Sequence, residues 1–454
     1  MEYERIRSKR GRHLSLRPGL RNSSSSCRVE MQPLSQDDLP ACGIDLPHHI
    51  MLEVLTFLKT RAIVRAREVS SAFRDDAPAL IEKIAFEKGQ KFPSATRMKA
   101  FSNVTQVHLA GHNCLVSAAA AGLKGASSLR RLTILRPLGV QQRSPLSKGA
   151  INNVCALPLV EFDMRRMEIN FHPKLRMPAW RTLESLVILD GLISDASLIN
   201  LVESIPEGPL PMRHLDLSRN LIGHERAMQP LAAALWSFRE MDKLELTADR
   251  LSAEGAQFII SELLDGACPK IKTLDLSLNF LDNGVLAYLA SGLGREAHGL
   301  QNLGKLGIGG RHSIEQGVTC FKTLASALAA GGLPKLDFLH LQGDVGPAQV
   351  APLLRNFKLG ACPKLAIVKV ERSSPSHPPE DVDATEDAVS SMLELVVSSH
   401  ILYLREVHVL GMNLSSGLEW AEEEERTPFY RAKNESSFHR LAVAGANVGV
   451  MVFV

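Results

Sequence analysis

Paired cysteines are missing from this chain. Its seven cysteines (Cys27, Cys42, Cys114, Cys155, Cys268, Cys320 and Cys362) are odd in number, scattered, and never spaced as Cys-x-x-Cys. That excludes a disulfide framework and points to reduced thiols in a protein of the cytoplasm, the nucleus or both. Aromatic residues are sparse at 5%, so Leu, Ala and Val must supply the core of a chain that is 45% hydrophobic. No apolar run approaches the roughly 18 residues of a membrane span, and nothing near Met1 resembles the apolar stretch of a secretory signal. A strong charge bias is also lacking. A net charge of +3 over 454 residues gives no concentrated basic field, which argues against nucleic acid as a partner.

What is present falls into unequal parts. Residues 1–43 are polar, include Ser23 to Ser26 in a row, and have no sustained periodicity, so they read as a disordered tail. Its cluster of Arg5, Arg7, Lys9, Arg10 and Arg12 suits a solvated tail, a nuclear-import signal or a weak contact with an acidic surface, and less well a mitochondrial transit peptide, since Glu2 and Glu4 precede it. Residues 44–86 read as a compact helical module: Pro47 suits a first helical turn, and Ile50, Val54, Leu55 and Leu58 recur on one helical face. About forty residues bury little area alone, so this module needs a neighbour. Residues 87–103 connect it to the rest.

From residue 104 to 454 one pattern dominates. Apolar residues stand at positions one, four and six of a short strand, followed by a turn and a helical stretch. Met212-Arg-His-Leu215-Asp-Leu217-Ser-Arg-Asn220 and Ile271-Lys-Thr-Leu274-Asp-Leu276-Ser-Leu-Asn279 match the leucine-rich consensus through its asparagine. Further copies start at Val104, Leu129, Leu159, Leu183, Met241, Leu303, Leu336, Leu365, Leu404 and Phe438, typically about 29 residues apart. Such repeats predict an α/β leucine-rich-repeat solenoid, a horseshoe with parallel strands inside and helices outside, similar to the ribonuclease-inhibitor class. The spans Gly284 to Leu293 and Ala256 to Leu264 carry helical periodicity. Pro269 and Pro363 stop helices, which makes Cys268 and Cys362 packing residues. The stretch 372–387, with three prolines and several acids, predicts a surface loop insertion.

Leu46-Pro47, Ile50, Val54-Leu55, Phe57-Leu58, Ile63, Val69-Ser70 and Phe73 fall in the order of an F-box. An F-box preceding leucine-rich repeats resembles the layout of the F-box/leucine-rich-repeat family, the substrate receptors of cullin-based ubiquitin ligases. The resemblance implies that Leu46, Pro47, Ile50, Val54, Leu55, Leu58 and Val69 dock on the adaptor protein that links such subunits to the cullin. It also implies a protein substrate on the repeats, and a monomer working within a larger complex. The residues alone leave three alternatives open: a helical cap on the first repeat, a plain interaction scaffold, and a regulator of GTPases.

Positions three, five and seven of each strand face away from the helices, so the binding face can be written down in advance. Position five runs through Asp163, Asp216, Glu245 and Asp275, which suggests an acidic patch for a basic partner segment. Phe338, His340 and Lys369 shift the later strands to a different chemistry. Enzyme signatures fail: Gly299-x-x-x-x-Gly304-Lys305 lacks the Ser/Thr of a phosphate loop and runs into a repeat strand, His224-Glu225 lacks a second histidine, and no Gly-x-Ser-x-Gly occurs. The expectation is a noncatalytic protein with no cofactor and no metal.

Overall fold

The structure is a computed structural model. It describes residues 83–86, 99, 103–111, 119–136, 145–173, 175–295, 298–310, 314–343, 347–358, 362–372, 391, 404–410 and 451–453. The tail, the stretch from Leu46 to Val69 expected to dock on an adaptor, and the 372–387 loop beyond Arg372 lie outside these residues.

The described strands form one 13-stranded sheet in strict chain order, with every pairing parallel. They are β1 (Lys83–Phe86), β2 (Gln106–Ala110), β3 (Arg131–Leu135), β4 (Glu161–Arg165), β5 (Ser185–Leu189), β6 (His214–Asp216) and β7 (Lys243–Glu245), followed by β8 (Thr273–Leu281), β9 (Lys305–Gly310), β10 (Phe338–Gly343), β11 (Ile367–Arg372), β12 (Glu406–Leu410) and β13 (Met451–Phe453). Parallel neighbours need a crossover between them; β4 and β5 are joined through a 3-10 turn at Pro178–Arg181, and other crossovers carry helices. These are α1 (Lys148–Cys155), α2 (Asp195–Val202), α3 (Glu225–Ala234), α4 (Ala253–Leu264), α5 (Asn283–Leu293), α6 (Ile314–Ala329) and α7 (Pro347–Lys358). Their starts follow from local chemistry, because the side chains of Ser147, Ser194, Ser252 and Asp282 each accept a hydrogen bond from a backbone N–H in the first turn. Gly266, at φ +93°, turns the chain away after α4, a conformation that favours glycine.

The period of the repeat decides what is buried. Every position-one residue from Val104 to Leu404 lies inside, as do the position-four and position-six pairs Leu132 with Ile134, Leu215 with Leu217, Leu244 with Leu246 and Leu274 with Leu276. Each fully buried Leu or Ile stabilises by about 1.5–3 kcal/mol relative to exposure. Because strands pair only with their neighbours in the chain, one aliphatic core runs from repeat to repeat. Trp180 and Phe238 are two large aromatic insertions; their ring centroids lie 6.2 Å apart, and Trp180 Nε1 donates to Ser204 Oγ at 2.9 Å.

The sheet differs from the expectation at its two ends. It reaches back to Lys83, which pairs with Gln106, so the residues before Val104 already contribute a strand. Ile81, Ile84 and Phe86 satisfy positions one, four and six, inside the segment read as wholly helical. At the far end the strand beside β12 is Met451–Phe453 rather than one set by the copy at Phe438. Register places Gly449 at position one there, where the pattern asks for a large apolar residue, and this hides the strand from a consensus search.

Cys155, Cys268 and Cys362 are buried free thiols in this core, in keeping with a packing role. Burial pushes each thiol up to about 12, so almost no reactive thiolate forms near neutral pH. Alkylation of the native protein at pH 8, read by site-resolved mass spectrometry, should leave these three unmodified and label them only after denaturation. Labelling of any of them at the rate of an exposed thiol would contradict the packing described here.

Candidate binding face

Parallel register aligns one side chain per repeat into a column. Position five runs without a break through Ala85, His108, Thr133, Asp163, Val187, Asp216, Glu245, Asp275, Gly307, His340, Lys369, His408 and Phe453. Asp163, Asp216, Glu245, Asp275, His340 and Lys369 therefore share one line across the sheet, as their spacing predicts. Position three forms a second column beside it, in which Glu161, Ser185, His214, Lys243, Thr273, Lys305 and Phe338 follow one another. The residues of both columns from β4 to β8 are half-buried except Val187, which is buried, so they point to the face opposite the aliphatic core.

The acidic patch is less bare than its sequence. The Arg165 guanidinium grips Asp163 through Nε at 2.8 Å and Nη2 at 2.9 Å, a fork geometry that raises the arginine pKa. Glu245 Oε2 lies 2.7 Å from Lys243 Nζ and 3.1 Å from His214 Nε2. Partial burial would raise the Glu245 carboxyl, but the hydrogen bonds from His214 and Lys243 and their charge outweigh it and leave the group below its ordinary value. Arg131 pairs with Glu161 at 3.0 Å on the same face. Asp216 and Asp275 differ, because each uses Oδ1 to accept the backbone N–H two residues on, at Ser218 and Ser277. The face thus presents alternating charge with two carboxylates held by backbone only, rather than a continuous acidic field.

Gly307 interrupts the column for a steric reason. A Cβ there would lie 2.4 Å from Asp275 Oδ1 and 2.8 Å from Ser277 Oγ, so the missing side chain leaves room for the Asp275 carboxylate. Beyond it the chemistry changes as anticipated. The rings of Phe338 and His340 meet edge to face at 6.2 Å, and Lys305 Nζ stands 6.0 Å from the Phe338 ring centroid. Lys305 lies in β9, so the glycines before it form no phosphate loop.

Near the N-terminal end of the sheet this face holds a hollow of about 390 Å³, lined by Arg131, Thr133, Asp163, Arg165, Val187 and His214 among others. Of the residues around it, position-five spacing singles out Asp163 but neither Arg165 nor His214, and it leaves out Lys243 on the neighbouring strand as well. Position three is two residues after each repeat start, so His214 and Lys243 were legible; their convergence on Glu245 was not, since it depends on side chains crossing between strands.

At the far rim of the strands the asparagines act as clamps. Asn220 Oδ1 accepts the N–H groups of Gly191 at 2.9 Å and Ile193 at 3.2 Å, while Nδ2 donates to the carbonyls of Ile188 and Leu217. Asn279 does the same one step on, accepting from Asp249 and Leu251 and donating to Leu246 and Leu276. Between them Asp249 takes the equivalent place. Its Oδ1 accepts the Asn220 N–H at 2.6 Å, but its buried Oδ2 has no hydrogen-bond partner.

Consensus repeats, asparagine clamps and an in-order parallel sheet define a leucine-rich-repeat solenoid. No protein-family model matches the chain, and no curated protein matches it. Among solved structures it is similar to one from the yeast Rad7 and Elc1 complex, at 14% identity and a TM-score of 0.42, covering 73% of this chain and 89% of that one. Similarity at that level carries no weight for function.

Proposed function

We propose that this chain is a noncatalytic recognition subunit of a cullin-based ubiquitin ligase, with the F-box-like segment binding the adaptor and the open sheet face binding a protein substrate. The observation that carries the binding role is the unbroken register of positions three and five, which spreads polar and charged side chains over neighbouring strands. A surface of this kind suits an extended partner better than a small substrate, since recognition is shared among many shallow contacts. Transfer of ubiquitin is then a matter of proximity, and the chemistry belongs to other subunits. The ligase half of the reading rests on Leu46, Pro47, Ile50, Val54, Leu55, Leu58 and Val69 in the sequence.

The test is a pull-down of the cullin adaptor by the purified chain, beside a variant carrying Leu46→Ala, Pro47→Ala and Leu58→Ala. The parent should retain the adaptor and the variant should lose it while keeping the parent's circular dichroism. If the parent retains none, the ligase role falls and an interaction scaffold remains.

A further inference from the structure

His214 and Asp216 leave β6 on the same face, two residues apart, and Glu245 lies directly beside Asp216 on β7. One donor atom from each lies within 4.8 Å of the others, and among the described residues they form the one such group. An imidazole with two carboxylates is a donor set for a borderline divalent cation, with water completing a four-coordinate shell. Modest rotation of three half-buried side chains brings their donors within the roughly 2.0–2.2 Å that zinc requires.

The surroundings support this use. Ser185 Oγ stands 3.3 Å from His214 Nδ1, on the side of the ring away from Glu245. Metal-bound histidines usually make such an outer contact, which fixes the ring and leaves Nε2 to bind. Asp216 spends only Oδ1 on a backbone N–H, and its second oxygen remains for an ion. The group that holds Glu245 most closely is a single cation, Lys243 Nζ at 2.7 Å from Oε2. That ammonium sits on a flexible side chain that is 38% exposed, so it competes with a metal for Glu245 and yields by swinging away.

We infer that His214, Asp216 and Glu245 form a zinc-binding site on the open face, gated by competition from Lys243. A neutral His214 protonated at Nε2 donates to Glu245 Oε2 and accepts from Ser185 Oγ at Nδ1; when a cation takes Nε2, the ring's one N–H hydrogen moves by way of water to Nδ1, which then donates to Ser185 Oγ. The site is independent of adaptor binding, because it uses repeat residues alone.

The test is calorimetric titration of the full chain, free of any polyhistidine tag, with zinc chloride. Parallel titrations use His214→Asn, Asp216→Asn and Lys243→Met. The parent should bind one ion that is lost, or weakened more than about tenfold, in the first two variants, since even outer-shell changes cost that much. Lys243→Met should tighten binding by about threefold or more, because a positive charge beside the site is gone. Circular dichroism of each variant separates this gain from misfolding, which would expose buried thiols that bind zinc. Zinc binding that is unchanged in His214→Asn would place the ion elsewhere and overturn the site. So would weaker binding in Lys243→Met, or saturation by equimolar magnesium, the mark of diffuse carboxylate attraction.

Discussion

Asn220→Ala should lower the free energy of unfolding by about 3–5 kcal/mol, an effect as large as breaking a buried polar network usually brings. The substitution removes one side chain but strands four backbone groups: the N–H of Gly191 and Ile193, and the carbonyls of Ile188 and Leu217. Asn220 is 2% exposed, so water does not reach these groups without the turn opening. The damage should spread to the next repeat, because the backbone N–H of residue 220, which alanine keeps, donates to Asp249 and shifts if the turn opens. Equilibrium denaturation in urea against the parent checks this. A loss below about 1 kcal/mol would mean that the turn solvates easily and that the clamp is dispensable.

Asp249→Asn should move stability the other way, and its effect should depend on pH. The carboxylate occupies a clamp position in which Asn220 and Asn279 donate from Nδ2 to two carbonyls. The equivalent carbonyls for Asp249 are those of Leu217 and Leu246, and an ionised oxygen cannot donate to them. Burial pushes the Asp249 carboxyl well above the ordinary value of 3.8; the Asn220 N–H acts in the opposite direction, and the neighbouring charge of Asp216 adds to the rise. An acid whose pKa is raised by folding binds more protons in the native state than in the unfolded one. Stability is therefore greatest at or below the unfolded value and falls as pH climbs from there toward the raised native value. Asparagine supplies the missing donor without a proton. The variant should be more stable than the parent at pH 7, by roughly the 1–3 kcal/mol of an unsatisfied buried group, and the gap should narrow as pH drops toward 4. Thermal melts at pH 4, 5, 6, 7 and 8 decide the matter. Parallel curves for the two proteins would show that Asp249 titrates as it does in the unfolded chain.

Much of the fold was legible because the signal is periodic. A repeat of about 29 residues with apolar residues at one, four and six places the strands, and alternation then assigns a face to each neighbour. That spacing puts Asp216, Glu245 and Asp275 in one line, and β6 to β8 hold them in register. It failed where the period alone was ambiguous. Ile81 to Phe86 has the right spacing but follows a helical stripe, so by sequence it reads as part of the module before it, while Gly449 breaks the pattern ahead of β13. The site itself was legible only as columns. Arg165 closing on Asp163, and Lys243 and His214 on Glu245, arise from long side chains choosing among rotamers on a crowded surface, which no spacing rule encodes. Asp249 is the opposite case, since laying its repeat under those of Asn220 and Asn279 shows a carboxylate where an amide belongs.

Each described strand hydrogen-bonds only with the strands made just before and just after it, and each clamp reaches back one repeat. A chain wired this way can lengthen by duplicating a unit or shorten by deleting one, and every surviving neighbour still finds the edge it was shaped for. The span of the open face is thus a heritable variable that can drift independently of what any single repeat displays.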